Sequence, residues 1–190
     1  MTIPIYENYK DYKPPGYAYP TIWKLLSNVP NHYLSGLQSV VLNSAAIGNG
    51  KTRRVAGKKY LRRECLGFYH PKRKGEDPWI EIVVDNIIAD FFRPDMPQIL
   101  SRISFLQKMA FSDTLYHEVG HHLDHTIGAP APSGEAAAEA WKDRLVVSYF
   151  KKHYRCLMPI LRLVIGLLRP ILEKRLNGSP RAAVAAHMRR

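Results

Sequence analysis

Three segments in the first half of the chain have the hydrophobic pattern of β-strands. Residues 37–42 are mostly aliphatic, residues 61–70 end in an aromatic run before Pro71, and residues 79–88 are rich in β-branched side chains. β-Branched and aromatic side chains fit the pleated, half-buried surface of a sheet. The sequence therefore predicts a small sheet, and residues 79–88 form its best-defined strand.

The second half of the chain has the period of helices instead. Between residues 98 and 126 apolar side chains recur at helical spacing, at Ile99, Ile103, Leu106, Ala110 and Leu115. A Pro- and Gly-rich break at residues 128–134 follows, where Ser133 is suited to cap a second helix that runs from Glu135 toward His153. We therefore predict two consecutive helices joined by a loop, with a further apolar helical stretch after Pro159.

Length and composition set the domain organisation. With 190 residues, of which 46% are hydrophobic, the chain is large enough for one domain with its own core. Residues 1–30 are rich in Tyr and Pro and predict an extended N-terminal arm. Residues 31–155 are the predicted folded domain, and residues 156–190 are a predicted apolar helix with a basic tail. Strands that precede helices in this way indicate an α+β fold.

Charge is distributed unevenly within a formal total of +12. Residues 51–74 and 151–190 each carry a net charge of +9, whereas residues 75–150 carry −7. We expect these basic segments chiefly to solvate the surface, with nucleic-acid binding through them as an alternative. Residues 157–176 are apolar with a basic stripe, and we favour packing on their own domain over contact with a membrane surface.

Targeting signals and cysteine usage bear on localisation. The N-terminal segment lacks the basic and apolar regions of a secretory signal, and the most apolar stretch of the chain is interrupted by Arg162 and Arg169. Two cysteines are too few for a disulfide framework. These features together predict a cytoplasmic protein.

The strongest chemical signal is an H-E-x-x-H motif formed by His117, Glu118 and His121. On a helix, positions i and i+4 share one face, so both imidazoles can bind one zinc ion. Zinc lowers the pKa of a bound water to about 7, and Glu118 is placed to act as general base toward that water. We therefore predict one Zn²⁺ per chain.

Catalytic zinc usually has a third protein ligand. Histidine at the metzincin spacing is excluded, because that position holds Ile127, and His125 lies about 12 Å along the helix from His117. Glu135 and Glu139 lie one turn apart on the next predicted helix. We assign Glu135 as the third ligand and Glu139 as the acceptor for the other nitrogen of a ligand histidine. The alternatives are exchanged roles, or two ordinary carboxylates favoured at a helix N-terminus.

These residues carry a family resemblance. The run TLYHEVGH over residues 114–121, followed by EAAAEAW over residues 135–141, resembles the gluzincin clan of zinc peptidases. It is most similar to the small single-domain members, the minigluzincins and the IrrE/ImmA-like proteases. Residues 66–70 and 80–83 are similar to the strand pair of those folds, and the likeness spans roughly residues 30–150. Glu139 stands where the family more often has Asp or Asn.

The resemblance implies a zincin-like fold, with a small, mostly antiparallel sheet, an active-site helix and a second helix that bears the ligand glutamate. It also implies a zinc metallopeptidase, an endopeptidase, in which a zinc-activated water hydrolyses a protein or peptide substrate with Glu118 as base. The expected substrate-binding edge strand contains Ile80, Ile82 and Val84.

Two residue roles and one alternative function complete the predictions from the sequence. The oxyanion-stabilising residue is Tyr69, His70 or a tyrosine of the N-terminal arm, without a choice between them. Gly120, within the active-site helix, is expected to permit close approach of helix and sheet. The alternative function is a non-proteolytic zinc-binding protein that uses the same fold for regulation or to bind nucleic acid.

Overall fold

A computed structural model of the chain describes residues 3–48, 52–55, 58–61, 64–73, 75–128 and 134–155. The fold is α+β, as the sequence predicts. The described helices and strands, in chain order, are β1 (Ile5–Asn8), α1 (Ala18–Leu26), β2 (Ser39–Asn43), β3 (Thr52–Val55), β4 (Lys58–Leu61), β5 (Gly67–His70), β6 (Trp79–Val83), α2 (Val84–Phe91), α3 (Ser104–Thr126) and α4 (Glu135–Tyr154).

The main sheet has four strands in the order β1-β2-β6-β5. β1, β2 and β6 are parallel, and β5 alone runs antiparallel to its neighbour β6. The expectation of a mostly antiparallel sheet is therefore wrong. Parallel neighbours need long crossover connections, and the chain supplies them through α1 and through residues 44–78. β3 and β4 form a separate antiparallel hairpin.

The predicted strand at residues 79–88 is shorter than expected and does not lie at an edge. β6 ends at Val83, where α2 begins, and it lies between β2 and β5. Ile80 and Ile82 are fully buried, as is Val84 in the first turn of α2. Their predicted role as a substrate-binding edge is therefore wrong. A run of aliphatic residues that is buried on both faces is typical of a central strand.

The N-terminal region predicted as an extended arm contributes two elements to the fold. β1 adds to β2 in parallel register, with Ile5 opposite Val40. α1 buries Ile22 and Leu25, and the Leu25 carbonyl accepts a 3.0 Å hydrogen bond from the Tyr116 hydroxyl of α3. This buried bond joins α1 to the centre of the active-site helix predicted from the sequence.

Two glycines allow α3 to approach its neighbours closely. A Cβ atom on Gly67 of β5 would lie 2.8 Å from Thr114 Cγ2 and 3.1 Å from Glu118 Cγ. A Cβ atom on Gly120 would lie 2.4 Å from the carbonyl oxygen of Ala138 in α4. Gly120 therefore permits contact between two helices, and the expected helix–sheet role is wrong. The close approach of α3 to the sheet is permitted by Gly67 of β5.

Replacing Gly120 with alanine is expected to destabilise the protein by about 1–3 kcal/mol, because the added methyl group meets backbone atoms that cannot rotate away. This loss exceeds the gain of about 1 kcal/mol in helix propensity. Urea unfolding curves measure the difference. Gly16→Ala is the control, since a Cβ there meets nothing within 4 Å. Equal stability of the two variants would contradict the close helix contact.

The chain divides into two units, Met1–Tyr149 and Phe150–Arg190. Of the second unit, residues 150–155 are described, and they form the end of α4 and the residue that follows it. Within the described part of the chain, the helices are all too short or too polar to cross a membrane. The segment at residues 157–176 lies outside the described residues, and the cellular compartment stays a prediction.

Candidate metal centre

α3 presents both histidines of the H-E-x-x-H motif on one face. The rings of His117 and His121 lie one helical turn apart, with their centroids 4.8 Å from each other and their planes nearly perpendicular. Both side chains are partly buried. The spacing places two imidazoles at the same point beside the helix, as the sequence predicts for residues i and i+4.

α4 brings Glu135 to the same point. Glu135 Oε2 lies 3.3 Å from His117 Nε2 and 3.7 Å from His121 Nε2. The helix start is fixed near the end of α3, because the Gly134 amide donates a 2.7 Å hydrogen bond to Asp124 Oδ2. Gly134 has a positive φ of 90°, a conformation that favours glycine. The structure therefore unites the three residues that the sequence assigned as ligands.

The three side chains fit a zinc ion. One donor atom from each of them lies within 4.8 Å of the other two. Tetrahedral zinc has bonds of about 2.0–2.2 Å, which separates its ligand atoms by about 3.3–3.6 Å. Two imidazole nitrogens and one carboxylate oxygen are also the donor set of known catalytic zinc sites. The donor types suit this metal, and the two carboxylate–imidazole distances, 3.3 Å and 3.7 Å, are close to that separation.

Glu139 faces the other side of the first histidine. Its Oε2 atom lies 3.4 Å from His117 Nδ1, whereas Glu135 approaches Nε2 of the same ring. Two carboxylates one turn apart on α4 thus address two different nitrogens. A neutral imidazole that donates its Nδ1 proton to Glu139 keeps its Nε2 lone pair directed toward Glu135 and His121.

The carboxylates give the site a negative potential. Burial acts to lower the pKa of His117, but the hydrogen bond that its ring donates to Glu135 and the charges of Glu118, Glu135 and Glu139 outweigh it and raise that pKa. The same charges that hold a proton on the imidazole attract a dication. Protons therefore compete with metal for His117 as the pH falls.

Glu118 occupies a different environment from the two exposed glutamates of α4. Its side chain is 6% exposed and lies beneath the start of β5, where a Cβ on Gly67 would be 3.2 Å from Glu118 Oε1. β5 is an edge strand of the main sheet. The motif glutamate is thus placed between the pair of histidines and an edge of the sheet.

Lys142 is a member of the site that the sequence interpretation missed. Its ammonium group lies 3.0 Å from Asp113 Oδ1 of α3 and forms a short contact with Glu139 Oε1 of α4. Burial acts to lower the pKa of Lys142, but the hydrogen bonds that its ammonium group donates to Glu139 and Asp113 raise it overall. The i, i+3 spacing of Glu139 and Lys142 was the available signal.

The proposed oxyanion residues use their polar atoms elsewhere. The Tyr69 hydroxyl lies 3.3 Å from His122 Nδ1, and His70 Nε2 lies 3.0 Å from Glu81 Oε2. In the N-terminal region, Tyr9 and Tyr12 pack edge to face. Burial, followed by the charge of Asp85, raises the pKa of Tyr12 to about 12. These contacts do not select an oxyanion residue, and the question stays open.

Two buried polar side chains, His122 and Glu81, have structural roles. His122, fully buried, has its Nε2 atom 3.0 Å from the Ser35 carbonyl oxygen. Burial lowers the pKa of His122, which favours the neutral ring. Glu81, also buried, accepts a 2.9 Å hydrogen bond from Asn43 Nδ2 in addition to its contact with His70. These groups tie the sheet together and link β5 to α3.

The alternative partners predicted from the sequence are nucleic acid, through the basic segments 51–74 and 151–190, and a membrane surface, through residues 157–176. The side chains of residues 51–63 and the whole of residues 156–190 lie outside the described residues, so binding of nucleic acid or a membrane surface stays a prediction.

Comparison of the chain with models of protein families, with curated proteins and with solved structures finds no match in any of the three.

Proposed function

We propose that this protein is a zinc-dependent peptidase, with one Zn²⁺ held by His117, His121 and Glu135. The observation that carries the proposal is the approach of one carboxylate oxygen to the Nε2 atoms of two histidines, at 3.3 Å and 3.7 Å. Bound zinc supplies Lewis acidity, which lowers the pKa of a water and polarises a carbonyl group.

Glu118 moves the proton in this proposal. Its carboxylate is in the same motif as the two histidines but projects toward β5, so it would lie beside a bound metal without being one of its ligands. It accepts a proton from the attacking water and donates it to the nitrogen of the leaving amine. Because Glu118 is buried beneath the edge strand, bulk water is kept away from the proton that it transfers.

β5 seats the substrate in this proposal, in place of β6. Among the described strands it pairs with β6 alone, and its first residue lies directly over α3. An extended peptide can add to such an edge through backbone hydrogen bonds. The scissile bond would then lie close to Glu118. A peptide is accordingly the substrate class that fits the site best.

The fold proposed for this site is zincin-like. The gluzincin resemblance implies an active-site helix followed by a second helix that carries a ligand glutamate. In the structure α4 follows α3, and β5, antiparallel to β6, packs against α3. The motifs and this order of elements are what supports a zincin-like fold in the proposal.

The test is hydrolysis of a peptide library by the purified full chain before and after metal removal. We expect cleavage that is lost on treatment with a zinc chelator and restored by about one equivalent of Zn²⁺. Circular dichroism of the metal-free protein controls for unfolding. Cleavage that persists without metal would contradict the proposal. Zinc binding without cleavage of any peptide would favour the non-proteolytic zinc protein.

A further inference from the structure

Lys142 is unusually buried for a lysine on the surface of a helix pair. Its side chain is 13% exposed, although lysine is almost never buried unless it is paired. Its partners come from both helices of the metal centre, Asp113 from α3 and Glu139 from α4. One ammonium group thus links the helix that carries the histidines to the helix that carries the carboxylates.

The contact with Lys142 restrains Glu139. The Glu139 side chain is 53% exposed, and a glutamate on an exposed helix face ordinarily samples several rotamers. Here Oε1 is held by Lys142, so that Oε2 is directed to His117 Nδ1 at 3.4 Å. A fixed acceptor at Nδ1 sets the tautomer and the orientation of the ring.

We propose that Lys142 is a positioning residue of the metal centre, which acts through Glu139 to hold His117 in its metal-binding orientation. The inference rests on the proposed function, because it concerns the same zinc site. Asp113 of α3 contacts the Lys142 ammonium group, so a series of contacts runs from Asp113 through Lys142 and Glu139 to His117.

The alternative is that Lys142 forms an ordinary salt bridge between the helices. The two explanations predict opposite changes in zinc affinity when Lys142 is removed. Lys142 is a positive charge next to a cation site, so its removal should strengthen zinc binding if charge is all that matters. If Lys142 positions Glu139, its removal weakens zinc binding despite the lost repulsion. Outer-shell partners of zinc ligands change the affinity by about 10- to 100-fold.

The experiment is measurement of zinc affinity by competition with a chromophoric chelator, on full-length Lys142→Met and Lys142→Arg. We expect about 10-fold weaker binding for Lys142→Met and near wild-type affinity for Lys142→Arg, which keeps a cation in place. In the cobalt-substituted protein, the visible absorption bands of Lys142→Met should shift, because the His117 ligand is reoriented. On a Glu139→Ala background, Lys142→Met should cause no further loss.

Several results would overturn the inference. Unchanged or tighter zinc binding by folded Lys142→Met contradicts it, as does an equal loss on the Glu139→Ala background. Should Lys142→Met not fold, Asp113→Asn carries the test, since Asp113 is exposed; unchanged zinc affinity there contradicts the chain of contacts. A wild type that takes up no zinc would overturn the metal site and this inference together, whereas the other outcomes leave the metal site standing.

Discussion

Replacing Glu118 with glutamine is expected to reduce the rate of peptide hydrolysis by about 100- to 10,000-fold while zinc stays bound. Glutamine has nearly the same size as glutamate, so it fits beneath Gly67 of β5 where the space is limited. It cannot accept a proton from water at neutral pH. The variant therefore separates proton transfer from metal binding.

Three measurements on Glu118→Gln define the outcome. Elemental analysis should give the wild-type zinc content, the turnover number should fall, and KM should change little because the substrate seat is intact. Glu76→Gln, at an exposed position in the turn between β5 and β6, is the matched control and should keep full activity. Retained proteolysis in Glu118→Gln would remove Glu118 from the mechanism.

The candidate metal-binding cluster could be predicted from the sequence because its spacing is local. His117, Glu118 and His121 lie within one helical turn, so their relative placement follows from helix geometry alone. The loop between α3 and α4 is short, which confines Glu135 to the neighbourhood of the α3 C-terminal half. α4 spans nearly the residues predicted for it, whereas α3 begins at Ser104 and not near residue 98, because Gln98–Arg102 form a 3₁₀-helix.

The strand order could not be predicted in the same way. Pairing of β1 with β2 and of β2 with β6 joins segments about 35–40 residues apart, and no local pattern records which strands become neighbours. The β-branched run at residues 79–88 indicated a strand, but burial on both sides makes it central. The error in the substrate edge followed from that missing information.

The contacts between α3 and α4 also could not be predicted from the sequence. The rotation of α4 about its own axis decides which side chains face α3, and the weak amphipathic pattern of α4 did not reveal it. The contact of Gly120 with Ala138 and that of Lys142 with Asp113 both depend on this rotation. Glu135 was singled out because its carboxylate is a suitable zinc donor, and the structure places it beside both histidines.

Replacing Glu135 with alanine is expected to weaken zinc binding by at least about 100-fold, so that the purified variant holds little zinc. Its Oε2 atom is the carboxylate oxygen that approaches both ligand histidines. Glu139→Ala, measured beside it, should keep zinc with an affinity about 10- to 100-fold below that of the wild type, since Glu139 approaches His117 Nδ1. Zinc lost from Glu139→Ala and kept by Glu135→Ala would show exchanged roles.

Stability measurements distinguish loss of a ligand from damage to the fold. Glu135 lies in the first turn of α4 with its side chain 61% exposed, so its removal costs the metal-free protein only about 0.3–1 kcal/mol of helix-dipole stabilisation. Zinc at 1,000 times its Kd adds about 4 kcal/mol to the wild type. We expect that added stability to fall to about 1.4 kcal/mol or less in Glu135→Ala at the same zinc concentration, and to stay near 4 kcal/mol in Glu76→Ala. An equal zinc-dependent gain in all three proteins would place the third ligand elsewhere.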